Sequence, residues 1–166
     1  MNFIVKNRIS NFLFLFALSL WALPAVVAAE QRDMGGWEKN GRYNQYYDLS
    51  EWDDFKGKVV SIKEVVPLPD MSPGVALEVR VSKSEVFMVH LCPVWFANPR
   101  NIGIKKGDRV KVSGIWAEIN GQEVFMASKV KKGDFEFKVR LTKDGTPFWT
   151  MSPEELNRER AKSQNP

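Results

Sequence analysis

The sequence predicts an all-β domain, and three observations support this prediction. Residues 75–82 alternate apolar and polar side chains, which is the period of a strand with one buried face. Asn120-Gly121 separates two further segments of this kind and is a strong signal for a type I′ hairpin turn. Similar short segments follow one another along residues 56–141, divided by clusters of glycine, proline and aspartate.

The first 29 residues predict a secretory signal peptide. Lys6 and Arg8 supply a basic start, residues 11–23 are almost wholly apolar, and small residues at 27–29 precede Glu30. The apolar run is shorter than the ~20 residues of a membrane-spanning helix. We therefore expect a periplasmic or secreted protein with no transmembrane span after cleavage. The alternative is a signal peptide that is kept as an N-terminal anchor.

Charge and cysteine content restrict the classes of function. The formal net charge falls from +4 to +2 when Lys6 and Arg8 are removed with the signal peptide. A near-neutral domain argues against nucleic acid as the partner, although a local basic patch is compatible with it. The single cysteine excludes an internal disulfide, so the fold must depend on its apolar core.

Residues 30–54 form a polar N-terminal extension that contains all three tyrosines of the chain. This segment shows neither a helical nor a strand period. We expect its aromatic side chains to pack on the domain, and a partner-binding arm is the alternative.

The domain itself is predicted to cover residues 55–150, with strands at 56–66, 75–82, 85–91, 109–119, 123–130 and 135–141. The alternation of the fourth strand changes phase at Gly114, which predicts a β-bulge there. A charged helical tail follows at residues 151–166, where Ser152 and Glu155 have the spacing of a capping box.

The third strand runs into the chain's only histidine, His90, and its only cysteine, Cys92. Their side chains are two residues apart, so they share one face of the strand at a separation of ~6.5–7 Å. An imidazole and a thiolate at this spacing can reach one metal or haem iron, but a structural zinc site takes four ligands. We therefore expect a packed histidine, an apolar cysteine and no cofactor. Metal binding by His90, with Cys92 as a weaker ligand, is the alternative.

The sequence shows no catalytic constellation. A nucleophilic Cys92 would need an orienting group beside His90, and none can be assigned. General acid–base catalysis needs paired groups in a cleft. The aspartates in predicted turns and tails show no such pairing: Asp53, Asp54, Asp70 and Asp134. The chain is therefore predicted not to be an enzyme.

Five strands with a break at residues 93–104, between the third and the fourth, follow the order of an OB-fold barrel. We therefore predict an all-β fold: a five-stranded OB-fold-like Greek-key barrel with an added C-terminal β-hairpin and a short C-terminal helix. Five stretches carry a resemblance to small secreted bacterial OB-fold (BOF-like) proteins, which are often labelled generically "DNA-binding": residues 57–62, 71–74, 89–96, 106–114 and 130–134.

The stretch at residues 89–96 is the most specific of these. Residues 89–96 resemble the pattern Val-His-Leu-Gly-Pro-x-Trp-Tyr and depart from it at Cys92, where the pattern has glycine. A site shared by such proteins would therefore not depend on this cysteine. The resemblance covers residues 55–149. It implies an OB fold and secretion of the protein, but it implies no activity.

An OB fold presents a ligand groove across its second and third strands, between the loops that join strands one to two and four to five. We therefore predict a non-catalytic module that binds a periplasmic protein partner or a small ligand. Its predicted groove residues are Glu78, Arg80, Met88, His90, Trp95 and Trp116. The alternatives are a metal- or haem-handling accessory of a periplasmic redox system acting through His90, and an oligonucleotide-binding protein.

Overall fold

A computed structural model describes residues 33–164, so the predicted signal peptide at residues 1–29 lies outside the described part of the chain. Within this part, six strands form one sheet: β1 Trp52–Val65, β2 Gly74–Arg80, β3 Val86–Pro93, β4 Arg109–Ile119, β5 Gln122–Lys132 and β6 Phe135–Lys138. One α-helix follows, α1 Pro153–Gln164, and three short 3-10 helices lie at Tyr43–Tyr46, Leu49–Glu51 and Phe148–Thr150.

The strand order identifies an OB-fold barrel. The strands are arranged β3-β2-β1-β4-β5-β6, and a short parallel pairing of β3 with β5 closes the first five into a ring. The strand β6 continues β5 as the added hairpin. This confirms the predicted fold class. Turns occupy residues 94–96, within the predicted break between β3 and β4.

β1 is the central strand and changes partner half-way. Residues 52–58 pair with β4, and residues 58–65 pair with β2, with a bulge between Val59 and Ser61. The strand begins at Trp52, four residues before the predicted start. The sequence did not predict this start, because the adjacent charges of Asp53 and Asp54 interrupt the alternation of apolar and polar residues. In the structure, hydrogen bonds to β4 hold this segment in an extended conformation.

Two glycine positions fix the geometry of the β4–β5 hairpin. The register shifts between Ser113 and Gly114, which confirms the predicted bulge. A Cβ atom on Gly114 would overlap the carbonyl oxygen of Met126, so the two strands approach here as closely as a glycine allows. At the turn, Asn120 and Gly121 have positive φ values of 53° and 73°, as a type I′ turn requires.

Residues 33–51, which we call the strap, pack on the barrel and complete its core. Trp37 and Tyr43 are buried, and the Trp37 indole donates a hydrogen bond to the carbonyl of Ser72 at 2.9 Å. The Trp149 indole in turn donates to the carbonyl of Trp37 at 2.9 Å. The strap therefore lies in one apolar cluster with the barrel and with the C-terminal segment.

The C-terminal segment differs in part from the prediction. β6 ends at Lys138 rather than at residue 141, and a single bridge between Arg140 and Pro147 replaces its last pairs. Before α1, the Ser152 amide donates to the Glu155 carboxylate and the Glu155 amide donates to the Ser152 hydroxyl. This reciprocal pair is the predicted capping box. Over residues 33–164, none of the helices combines the length and the apolar character that crossing a membrane demands.

Candidate functional site

A groove of about 860 Å³ lies on the outer face of the barrel, where β1, β4 and the ends of β2 and β5 meet. We call it the basic groove. Seven basic residues line it: Lys56, Lys58, Arg80, Lys83, Arg109, Lys111 and Lys131. None of the described residues that line it is acidic. The groove can therefore bind an anion by charge.

Strand register arranges six of these basic residues in two rows. In the first row, Lys58 of β1 lies directly between Arg80 of β2 and Arg109 of β4. Lys83, in the turn between β2 and β3, also lines the basic groove. In β-sheets, the Cβ atoms of directly opposed residues are about 4.5–5.5 Å apart. The charged side chains of the first row are therefore close neighbours.

The second row is parallel to the first and lies two residues away from it along β1 and β4. In this row, Lys111 of β4 lies between Lys56 of β1 and Lys131 of β5. The alternation of the strands explains the arrangement, because Val110 and Val112 of β4 are buried and Lys111 between them points outward. The two rows together place six positive charges on one continuous outer surface.

The two rows differ in their counter-charges. In the second row, Lys111 pairs with Asp54 at 2.8 Å, and Lys131 lies 3.7 Å from Glu136. Among residues 33–164, no ion pair is formed by the three members of the first row. Because like charges directly opposite one another destabilise a sheet, the first row is unfavourable for the free protein.

His90 lies away from the groove, beneath the strap. Its side chain is 6 % exposed, and its Nδ1 is 3.2 Å from the hydroxyl oxygen of Tyr43. Burial lowers the pKa of His90 to about 4, so the imidazole is neutral at physiological pH. His90 is therefore a buried residue whose side chain packs beneath the strap and is hydrogen-bonded to Tyr43.

Cys92 is fully buried two residues further along β3. The β2–β3 register shifts between the pairs Val75–Cys92 and Ala76–His90, so the regular alternation that predicted one shared face for His90 and Cys92 does not hold here. Burial raises the pKa of its thiol to about 12, so it is not a thiolate at neutral pH and is neither a strong nucleophile nor a good metal ligand. In the part of the chain that the structure describes, no group of three or more His, Cys, Asp or Glu side chains could hold a metal ion.

Arg140 connects the strap to the C-terminal segment. Its guanidinium is buried between the rings of Tyr47 and Trp149, 4.5 and 4.8 Å from their centroids. It donates hydrogen bonds to the Asn44 side-chain oxygen at 2.7 Å and to the Gly145 carbonyl at 3.2 Å. These contacts join the strap to the C-terminal segment, which indicates a structural role.

The structure distributes the six predicted groove residues over several places. Only Arg80 lines the basic groove. The Glu78 carboxylate accepts a hydrogen bond from Ser61 at 2.5 Å and pairs with Lys63, which lowers the pKa of Glu78. Met88 is half-buried against the core, and Trp95 is exposed in the connection between β3 and β4.

Trp116 belongs to an aromatic cluster with Phe55, Phe87 and Phe125, whose centroids lie 4.7–6.0 Å from its own. Its indole nitrogen donates to Asp53 at 3.1 Å. Of the seven basic residues that line the groove, only Arg80 was predicted from the sequence as a groove residue. In the sequence, the groove corresponds to a lysine or arginine at alternate positions of β1 and β4. That these residues form one surface can be recognised only when the register of the two strands is known.

Comparison with known proteins identifies the family. A family model described as the MamS/MamX magnetosome protein family matches residues 51–137, more than half of the chain. The chain belongs to the MamS/MamX magnetosome protein family. In this MamS/MamX chain, the matched segment contains β1 to β5 and all seven basic residues of the groove. Arg140, Trp149 and most of the strap lie outside it.

Among solved structures, a chain of the Stn1-ten1 complex from S. pombe is similar to this MamS/MamX chain. The two chains are 16 % identical, with a TM-score of 0.39 over 69 % of this chain and 76 % of the other. The fold assignment depends on the strand order and not on this similarity. No curated protein matches the MamS/MamX chain.

Proposed function

We propose that this MamS/MamX chain is a non-catalytic binding module of the magnetosome and that its basic groove holds an acidic segment of a protein partner. The observation that carries the proposal is the groove itself, which is lined by seven basic residues and by no acidic one among the described residues. The family description supports the assignment to the magnetosome. We also propose that a signal peptide at residues 1–29 directs export of the protein to the periplasm.

The shape and lining of the groove favour a protein segment over other polyanions. Proteins that bind single-stranded nucleic acid combine a basic groove with aromatic side chains on which the bases stack. The lining here contains no aromatic residue among those described, and the rings of the Trp116 cluster pack against one another. A concave groove also fits an extended chain better than it fits the flat surface of a lipid bilayer.

A direct test is the binding of a fluorescein-labelled oligoglutamate peptide to the protein expressed from its full coding sequence. Fluorescence anisotropy measures the affinity at about 0.1 M salt, where surface charges still act over ~10 Å. The test variant is Lys56→Gln/Lys58→Gln/Arg109→Gln. An exposed ion pair contributes about 0.2–1 kcal/mol, so the loss of three should weaken binding by about tenfold.

The matched control removes three positive charges from another surface, in the variant Arg100→Gln/Lys105→Gln/Lys106→Gln. These residues lie in the connection between β3 and β4, outside the groove. We expect the control to retain most of the affinity. An equal loss in both variants would show that net charge rather than the groove attracts the peptide.

Oligonucleotide binding is the second candidate, because OB folds present grooves to single strands and this groove is basic. Labelled oligothymidylate in the same assay separates the two. If it bound more tightly than oligoglutamate at equal charge and lost affinity in the groove variant only, the partner would be a nucleic acid. The same assay with vesicles of phosphatidylcholine and phosphatidylglycerol tests a lipid surface.

A further inference from the structure

The first row of the groove has features that the second row lacks. Its central member, Lys58, has an arginine directly opposite on each side, Arg80 and Arg109. No described carboxylate pairs with any of the three. In the second row, by contrast, Asp54 and Glu136 already neutralise part of the charge. Within the groove, an incoming anion therefore has most to gain at the first row.

The side chains of the first row also suggest which anion this is. A guanidinium presents five N–H donors in a planar fork that matches the oxygens of phosphate and carboxylate groups in pairs. Two forks flank one ammonium here, and Lys83 adds a further positive charge to the lining. A single carboxylate has one negative charge and two oxygens, which leaves most of these donors and charges unmatched.

A phosphoryl group matches this set more closely. A phosphate monoester carries about −1.5 to −2 charge at pH 7 and three acceptor oxygens. Hydrogen bonds between arginine and phosphate are charge-assisted and frequently bidentate, which makes them stronger and more directional than contacts with lysine alone. Both of the arginines that line the groove lie in the first row, one on each side of Lys58.

We infer that Arg80, Lys58 and Arg109 form a phosphoryl-binding subsite, at which the acidic partner presents a phosphorylated side chain. This inference rests on the proposed function, because it assumes that the partner occupies the basic groove. Free inorganic phosphate carries the same chemistry and is the other source of the anion. The second row then holds the remaining acidic residues of the partner by charge alone.

Two labelled peptides test the inference. Both have the same acidic sequence, and they differ at one position that is phosphoserine in the first peptide and glutamate in the second. With the full-length protein, the phosphoserine peptide should bind about tenfold more tightly, since it gains bidentate contacts to arginine. Inorganic phosphate should displace it more effectively than chloride at the same ionic strength.

The decisive variant is Arg80→Lys/Arg109→Lys, which keeps every charge and removes both forks. We expect the preference for phosphoserine to fall from about tenfold to about twofold, while the affinity for the glutamate peptide is unchanged. The matched control, Lys56→Gln/Lys131→Gln in the second row, should weaken both peptides equally. If the double arginine variant does not fold, Arg80→Lys alone gives the same comparison.

The outcomes separate this inference from the proposed function. Equal affinity for the two peptides, with both lost on neutralisation of the groove, would overturn the phosphoryl subsite and leave an acidic partner in place. Binding of neither peptide would overturn both. Saturable binding of inorganic phosphate with no further gain from the peptide would support the subsite and assign it to the free ion, which contradicts the acidic partner.

Discussion

Replacing Lys58 with glutamine should stabilise the free protein, although it removes a residue of the proposed site. Lys58 lies directly opposite both Arg80 and Arg109, so the substitution removes two like-charge contacts. Cross-strand charge pairs contribute roughly 0.2–1 kcal/mol each, which predicts a gain of about 0.5–2 kcal/mol in the free energy of unfolding. The gain is electrostatic and should disappear near ~1 M salt, where the Debye length is ~3 Å.

Urea denaturation followed by tryptophan fluorescence measures this change at low and at high salt. The matched control is Lys63→Gln on the same strand, because the Lys63 ammonium pairs with the Glu78 carboxylate. This control should lose about 0.2–1 kcal/mol, a change of opposite sign. Both substitutions exchange the same residue types in one strand, so differences in strand propensity cancel.

A neutral or destabilising Lys58→Gln at low salt would refute the electrostatic account of the groove. A gain of equal size at about 0.1 M and about 1 M salt would do so as well, since a repulsion between charges must be screened. The expected result instead means that the protein retains an unfavourable arrangement of charges in its free state. Such a cost is typical of sites that are kept for binding.

Four further predictions concern the core and the strap. The folded-state pKa of His90, about 4, lies below the ordinary value of 6.5, so its contribution to stability is complete above pH 6.5 and is lost as the pH falls toward 4. That loss is about 3 kcal/mol, and comparison with His90→Gln in denaturation series at both pH values isolates it. The Cys92 thiol, with its pKa raised to about 12 by burial, should react with a maleimide only in denaturant, and rapid labelling of the native protein would contradict its placement. Trp37→Ala should cost about 3–5 kcal/mol of unfolding free energy, because a buried indole leaves a large cavity, and a loss below 1 kcal/mol would mean that the strap is not part of the core. Gly114→Ala should cost about 1–3 kcal/mol in the same assay, since its Cβ would overlap the carbonyl oxygen of Met126, and a neutral effect would argue against the bulge.

The fold was predictable from the sequence because its determinants are local. The alternation in β2, the Asn120-Gly121 turn and the phase change at Gly114 each depend on a few neighbouring residues. The beginning of β1 at Trp52 was not predictable in this way, because pairing with β4 overrides the two adjacent aspartates.

The candidate site depends on contacts between residues that are distant in the sequence. The near-neutral net charge of the mature chain predicted little affinity for polyanions. Net charge does not reveal the basic groove, because the acidic residues that balance the charge lie elsewhere on the surface. Lys56 and Arg109 are 53 positions apart and become part of one surface only through the β1–β4 register. His90, in contrast, attracted attention as the only histidine, and the strap buries it.

The most direct test of the proposed anion-binding function is a nuclear magnetic resonance titration of the ¹⁵N-labelled protein with unlabelled oligoglutamate. The account predicts that the amide signals that shift most belong to residues 56–58, 80–83, 109–111 and 131–133, which line or border the basic groove. These shifts should diminish together as salt is raised. Shifts that centre on Trp95 or on the strap, with none in the groove, would contradict it.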